Sequence, residues 1–377
     1  MPQPRVVIVT TGLGAGGAEH MLFRLAERAM ANGVEMLVVS LRDDGVFGGR
    51  LRAIGVPVVC CRLQHLAGFA DTAKAWFAVR RFSPDVVQGW MYHGSLAASM
   101  LAACLRASPR IFWSMRQSVY SLPAEPFNIR LLVCLLRKLV ARTGGVIYNS
   151  SISCRQHRAV GLISANDVVI GNGIDLIRYR PDAACRTELR AKLGIEPDAP
   201  LVGIVARVHP VKDHAGFIAA GVQLLRNLPQ VRFLFVGEGT QETGFLESLR
   251  TAGIAERAVC LGRVDATERI YPALDLLVLS SAWGEAWPNV LGEAMACGVP
   301  CVATDVGEAA QIVGDCGAII PPGDPSALAR ACAEILGAPQ TRRTELGLAA
   351  RGRIERLFDI GGVFKAYLSV WNDTRAG

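Results

Sequence analysis

Residues 276–303, LLVLSSAWGEAWPNVLGEAMACGVPCVA, read as a strand, a loop, a helix and a second strand. Leu276–Leu279 is an unbroken apolar run, as expected of a parallel strand covered on both faces. The mixed stretch from Ser280 to Trp287 breaks that run, and Pro288 suits the first turn of a helix because its φ is already fixed and it has no N–H to lose. A helical segment then leads to the strand Pro300–Ala303. Strands joined through helices make an α/β domain with a mostly parallel sheet.

The same alternation extends outward from this unit. Leu201–Ala206, Val231–Val236 and Ala258–Leu261 precede it as strands, separated by helical segments. At the start of the chain, the β-branched run Arg5–Val9 leads into a glycine-rich turn, Thr10–Gly17. From Glu19 onward, Leu22, Leu25, Ala26 and Ala29 recur at helical spacing until Asn32-Gly33 stops the helix. Val34–Ser40, Pro84–Val87 and Gly145–Tyr148 read as further strands, and residues 95–105 as a helix. The polar segment 176–199, with Pro181 and Pro197, places a link near residues 171–180. The expectation is two doubly wound domains, residues 1–170 and 171–355, with a ligand cleft between them lined by the carboxyl ends of parallel strands.

Composition agrees with this organisation. At roughly 100 to 200 residues per domain, 377 residues favour two domains. With 51% hydrophobic and 19% charged residues, wholesale disorder, a fibrous repeat and a disulfide-stapled miniprotein are excluded. The mean hydropathy of +0.30 raises the question of a membrane span. The uncharged run Val86–Leu105 contains Gln88, Gly89, His93, Gly94, Ser95 and Ser99, which fits a strand, a loop and an apolar helix better than a span. The amino-terminal MPQPRVVIVTTGLG lacks the pattern of a signal peptide, so a cytoplasmic location is expected. The 11 cysteines include no C-x-x-C pair, and Cys60, Cys104 and Cys260 sit in apolar runs, as reduced hydrophobes rather than metal ligands.

Charge is unevenly spread. Residues 1–175 hold 19 Lys+Arg against 10 Asp+Glu, and residues 176–377 hold 21 against 23, so the net charge of +7 divides into +9 and −2. The first half therefore asks for an anionic partner: a phosphorylated acceptor or an anionic membrane surface ahead of nucleic acid, for which no aromatic-interleaved signature is present.

Three clusters could carry chemistry. Gly12-Leu13-Gly14-Ala15-Gly16-Gly17 lies between a strand and a helix, where glycines let a phosphate approach the helix N–H groups; the alternative is a tight turn without a ligand. Asp43 or Asp44 could then serve as the ribose acid of a nicotinamide dinucleotide site. Arg207 at a strand end and Lys212 five residues on could together neutralise a diphosphate, against the reading of two solvated surface charges. Glu285 lies before the helix that begins near Pro288 and Glu293 in its second turn, with the N–H groups of Asn289 and Val290 aimed at an anion between them. Two carboxylates flanking a phosphate site suit a sugar nucleotide, since a carboxylate accepts from a pair of vicinal hydroxyls; in isolation they would be two acids favoured by a helix dipole.

Taken together, Gly16-Gly17-Ala18-Glu19, Val169–Asp175 (VIGNGID), Arg207 with Lys212, Phe235–Gly239 (FVGEG) and above all Glu285-x7-Glu293 resemble the retaining glycosyltransferases of family 4 over almost the whole chain. That family has the GT-B fold, two Rossmann-like domains with a donor cleft between them, and a carboxy-terminal helix crossing back onto the first domain; residues 356–377 are the expected counterpart, with Phe358–Trp371 suitably amphipathic. Gly171 departs from the proline usual before Asn-Gly. By position, the resemblance implies that Arg207 and Lys212 hold the donor diphosphate, Asn289 and Val290 add N–H groups, Glu293 binds ribose, Glu285 contacts the donor sugar, Gly16-Gly17 meets the phosphates, and His93 stands in a strand-to-helix loop beside the transferred sugar. Asn172 is a further substrate-binding candidate and, with Gly173, a hinge. As a lone histidine, His93 could equally be a structural one. No metal is expected, because Arg and Lys can neutralise the diphosphate, and the nucleotide sugar is a co-substrate rather than a cofactor.

The implied activity is transfer of a hexosyl unit from a nucleotide sugar to a glycan or lipid-linked acceptor in cell-surface polysaccharide or lipopolysaccharide assembly. The rivals are an NAD(P)-dependent oxidoreductase using the first glycine loop and a GT-B protein that binds nucleotide without turnover. Residues 127–142, FNIRLLVCLLRKLVAR, place Arg130, Arg137, Lys138 and Arg142 on one helical arc and Leu132, Leu136, Leu139 and Val140 on another. This suits a helix in an anionic membrane interface on the inner face of the plasma membrane, or a covering helix packed on the sheet.

Overall fold

Val6–Thr10 is buried at every position, which seats it in the middle of a sheet covered on both faces. The computed structural model describes residues 3–63, 68–106 and 108–373. The chain divides into two units, Met1–Gly173 with Ile360–Gly377, and Ile174–Asp359.

The first unit is built on seven parallel strands: β1 (Val6–Thr10), β2 (Met36–Ser40), β3 (Val58–Cys60), β4 (Val86–Trp90), β5 (Arg110–Met115), β6 (Gly145–Tyr148) and β7 (Val168–Val169), in the order β3-β2-β1-β4-β5-β6-β7. The chain winds away from β1 in one direction, then returns to its other side at β4. Such a reversal opens a crevice at the carboxyl ends of the two strands. Thr10 pairs with Trp90, so those two ends are level.

The helix Met91–Ala103 follows β4 without a connecting loop. This turn is possible because Met91 takes φ +65° and because Gly89 and Gly94 have no Cβ. One on Gly89 would lie 2.2 Å from Ser95 Cα, and one on Gly94 2.3 Å from the Val9 carbonyl oxygen. β4 therefore extends past the expected Val87, and the run Val86–Leu105 is a strand and a helix. Among the described residues no helix is long and apolar enough to cross a membrane.

The terminal helix Ile360–Asn372 buries Val363, Phe364, Tyr367 and Trp371 in the first unit. Trp371 Nε1 donates to Gln88 Oε1 of β4 at 2.7 Å. The helix Phe127–Leu139 turns Leu132 and Leu136 inward, and these join Val140 against Trp113, Val146 and Tyr148. That arc is accordingly a covering face. The opposite side of the same helix exposes Phe127, Leu131 and Leu135.

The second unit repeats the winding with six parallel strands: β8 (Leu201–Val205), β9 (Arg232–Val236), β10 (Ala258–Cys260), β11 (Leu276–Leu279), β12 (Cys301–Thr304) and β13 (Gly317–Ile320), in the order β10-β9-β8-β11-β12-β13. Its reversal lies between β8 and β11. Ile174 enters this unit beside the segment that leaves it, its N–H donating to the Phe358 carbonyl at 2.8 Å.

Candidate active site

In the second unit the loops after β8 and β11 bring two of the sequence candidates into direct contact. Ser280 Oγ donates to the Lys212 carbonyl at 2.8 Å, and the Ala282 N–H donates to the Val211 carbonyl at 2.8 Å. The loops are thus tied to each other before any side chain is considered. Lys212 Nζ then pairs with Glu285 Oε1, and Ser281 Oγ donates to the same oxygen at 2.7 Å. Thr304 Oγ1 holds the Ser281 carbonyl at 2.6 Å. The Glu285 side chain is only 11% exposed and that of Lys212 25%, so the pair is shielded enough for its charges to matter.

Arg207 stands two residues beyond β8, exposed, with no ion pair among the described residues. Its backbone is held by the Gly237-Glu238-Gly239 turn. The Val208 N–H donates to the Glu238 carbonyl at 2.8 Å, and Gly237, at φ +146°, leaves room where a Cβ would sit 2.1 Å from the Ala206 carbonyl oxygen. Lys212 closes a short 3-10 turn, after which Asp213 caps the next helix by accepting from the Gly216 N–H at 2.9 Å.

The helix Asn289–Ala296 has Pro288 at its N-cap, one place earlier than the first helical position. Asn289 and Val290 are half-buried in its first turn and Glu293 is buried in its second. Glu293 Oε2 accepts from Tyr271 Oη at 2.8 Å. Burial, with Glu293 alongside, pushes the Tyr271 hydroxyl far above its usual range, so it remains a donor. Gly307, at φ +55°, lets residues 306–308 bed against the loop that carries Glu285, since a Cβ there would lie 2.6 Å from the Glu285 carbonyl oxygen. Arg207, Lys212, Glu285, Asn289, Val290 and Glu293 all belong to elements that leave β8 and β11 at the reversal of the sheet.

In the first unit the glycine turn after β1 and the helix after β4 occupy the equivalent place. Gly16 is the N-cap of the helix Gly17–Ala31, and the Glu19 carboxylate folds back over it, 2.3 Å from where a Cβ of residue 16 would be. Burial raises the Glu19 pKa. The turn expected to receive phosphate thus already holds an acid of its own. His93 lies on the first turn of the helix Met91–Ala103, not in a loop as expected, because that helix starts directly after the strand. It is exposed, and partial burial and Arg42 depress its pKa. Asn172 is buried, and its Oδ1 accepts from Arg116 Nη1 at 2.7 Å. Of the two acids considered for a nicotinamide site, Asp44 is paired with Arg52 at 2.6 Å and Asp43 accepts from the Gly45 N–H at 3.2 Å. Both are engaged in shaping their own loop.

Sequence reasoning did not single out Ser281, Tyr271 or Arg116. Ser281 lies within the motif itself, four residues before Glu285. Tyr271 and Arg116 reach their partners across 22 and 56 residues, and no local pattern marks such pairings.

Residues 15–178 match the family described as Glycosyltransferase Family 4, and residues 199–338 match Glycosyl transferases group 1. The chain is a glycosyltransferase, with a family 4 domain followed by a group 1 domain. Among relatives of this glycosyltransferase, the 2-deoxystreptamine N-acetyl-D-glucosaminyltransferase of Streptomyces fradiae is 28% identical over 370 residues, covering 87% of this chain and 85% of the relative. The lipopolysaccharide core biosynthesis mannosyltransferase LpsB of Rhizobium meliloti is 30% identical over 225 residues, 53% of this chain and 61% of the relative. Among solved structures, Anabaena Alr3699/HepE in complex with UDP superposes with a TM-score of 0.84 at 23% identity, over 96% of this chain and 98% of that one. The fold of the glycosyltransferase is GT-B, with two Rossmann-like parallel sheets of seven and six strands. This identification displaces the oxidoreductase reading of the first glycine loop.

Proposed function

We propose that this glycosyltransferase moves a hexosyl unit from a nucleotide sugar to a glycan or lipid-linked acceptor in cell-surface polysaccharide or lipopolysaccharide assembly, with retention of configuration and without a metal ion. The observation that carries the reading is the Lys212–Glu285–Ser281 cluster, with the exposed guanidinium of Arg207, which has no ion pair among the described residues, at the carboxyl ends of β8 and β11. Arg207 and Lys212 take the donor diphosphate, and Glu285, relieved of part of its pairing, accepts from a sugar hydroxyl. Glu293, oriented by Tyr271, accepts from the ribose hydroxyls. As the bond from the anomeric carbon to the diphosphate oxygen breaks, the two cations stabilise the negative charge growing on the leaving group. The acceptor hydroxyl bonds to the anomeric carbon on the same face, and its proton passes to the departing oxygen lying there. The match in fold with Anabaena Alr3699/HepE, solved in complex with UDP, supports a nucleotide donor. The name of the LpsB relative supports a surface-glycan setting.

The test is a panel of UDP-, GDP- and ADP-sugars, scored for release of the nucleoside diphosphate with and without EDTA, and for the anomeric configuration of the product by NMR. We expect release with at least one donor, insensitivity to EDTA and a retained anomer. Lys212→Ala should lower kcat by about 10²–10³-fold, the usual cost of removing one transition-state donor, while leaving the melting temperature within a few degrees. An inverted product, or a Lys212→Ala variant as fast as wild type, would overturn the reading.

A further inference from the structure

Arg116 follows directly on β5, at the carboxyl edge of the first unit's sheet, and is 7% exposed. A guanidinium buried to this degree is ordinarily matched by a carboxylate, because taking an unpaired charge out of water is costly. Among the described residues every partner is neutral. Nη1 donates to Asn172 Oδ1 at 2.7 Å and Nε to Ser114 Oγ at 3.1 Å. The Arg116 Cζ lies 4.5 Å from the centre of the Trp90 ring and 5.6 Å from that of Tyr367. Nη2 makes no hydrogen bond among the described residues. Burial alone draws its pKa down to about 9, with no acid opposing the shift.

The surroundings of this charge are themselves unusual. Trp90 is the last residue of β4, and the next residue, Met91, holds the left-handed φ of +65° that launches the helix bearing His93. Asn172 precedes Gly173, whose carbonyl is held by the buried Arg24 at 3.1 Å. Tyr367 belongs to the terminal helix, and its hydroxyl is another buried group without a hydrogen bond among the described residues. One costly cation therefore touches the strained strand-to-helix turn, the end of the first unit's main segment and the terminal helix. Fold stability offers no reason to keep it, since apolar replacements of buried charges are often neutral or stabilising when packing is preserved. Costly groups of this kind persist where they set the geometry of a site.

We propose that Arg116 is a positioning residue of the transfer reaction, fixing Asn172 and, through Trp90, the Met91 turn that presents His93. The proposal rests on the glycosyl-transfer reading above. Methionine at this position fills similar space without the charge or the planar hydrogen bonds. Lysine keeps the charge but not the fork that reaches Ser114 and Asn172 together, nor the flat face that stacks on Trp90.

The experiment uses the full chain with the nucleotide sugar that wild type turns over fastest in the panel, and measures kcat, KM and melting temperature for Arg116→Met, Arg116→Lys, Asn172→Ala and the Arg116→Met/Asn172→Ala double variant. Arg116→Met should melt at or above the wild-type temperature while kcat falls about 10–100-fold, the scale of loss from a slight misplacement of reacting groups. KM for the donor should change little, and Arg116→Lys should not restore the rate. The double variant should fall no further than the slower single one, as expected of residues acting through one contact. The proposal is overturned if Arg116→Met keeps kcat to within about twofold. It is equally overturned if melting temperature and kcat fall in step in both arginine variants, or if the losses in the double variant multiply. A wild-type chain that turns over no nucleotide sugar removes the transfer reading and this proposal with it; a transferring wild type beside an unimpaired Arg116→Met removes the proposal alone.

Discussion

His157 shows how a single buried residue imposes a pH dependence on the whole chain. Its ring is fully buried, with Nδ1 2.7 Å from the Ser153 carbonyl oxygen and Nε2 2.7 Å from Tyr92 Oη. Only a donor can bond a carbonyl, so Nδ1 carries the proton and Nε2 accepts from the tyrosine. Burial holds the pKa of this neutral ring down to about 4, and that of His214 also to about 4. In the unfolded chain both titrate near 6.5, so between about pH 6.5 and 4 the unfolded state binds more protons and stability falls as the pH falls. Full loss amounts to about 3 kcal/mol per histidine at 1.36 kcal/mol per unit. Urea unfolding at pH 7 and pH 5 should therefore show a clear loss for wild type and roughly half that loss for His157→Gln, with His214 supplying the remainder. An unchanged pH slope in the variant would show that His157 is not the titrating group.

At the scale of elements, the glycines around β9 and β4 decide whether the site loops can form at all. Gly237 is confined by both its φ of +146° and the Ala206 carbonyl behind it, whereas Gly244, near the start of the helix Thr243–Thr251, has nothing within 4 Å of its absent Cβ. Gly237→Ala should therefore destabilise by about 1–3 kcal/mol, the cost of forcing a side chain into a glycine-only conformation, and should also weaken transfer by shifting the segment that carries Arg207. Gly244→Ala should be neutral or stabilising by about 0.4–1 kcal/mol, because alanine narrows the unfolded ensemble without strain. Thermal melts of both variants check the contrast, and equal effects would contradict it.

The same elements show what was legible beforehand. The central strands announce themselves as β-branched runs, and Arg207, Lys212, Glu285 and Glu293 stand out by their spacing around β8 and β11. Strands β3 and β7 are too short to carry a period, at three and two residues. β5, RIFWSM, mixes Arg, Trp and Ser because its neighbours rather than its own pattern make it a strand. The sequence reads His93 into a loop because nothing in it marks the positive φ at Met91. The Lys212–Glu285 pair spans 73 residues, so only the fold could reveal that two separately assigned side chains neutralise each other.

For the molecule as a whole, the uneven charge remains the largest feature to account for. The excess of +9 lies in residues 1–175, and the helix Phe127–Leu139 now has two apolar faces. Leu132, Val133 and Leu136 face the core, while Phe127, Leu131 and Leu135 face outward at 76%, 51% and 41% exposure. Arg130, Arg137 and Lys138 are exposed beside that outer stripe. An apolar stripe flanked by cations suits the interface of an anionic bilayer, where the Phe127 ring and the two leucines would enter the acyl boundary and the cations would meet the headgroups. If the acceptor is lipid-linked, this contact would bring the first unit to its substrate. The full chain should cosediment with vesicles containing about a third phosphatidylglycerol and not with pure phosphatidylcholine, and the binding should weaken steeply between about 0.05 and 0.5 M salt as the headgroup charge is screened. Leu131→Asp/Leu135→Asp, placed on the exposed side, should abolish binding while leaving the melting temperature close to that of wild type. Equal binding to neutral vesicles, or full binding by the double variant, would assign the outer stripe no such role and return the positive charge to the acceptor itself.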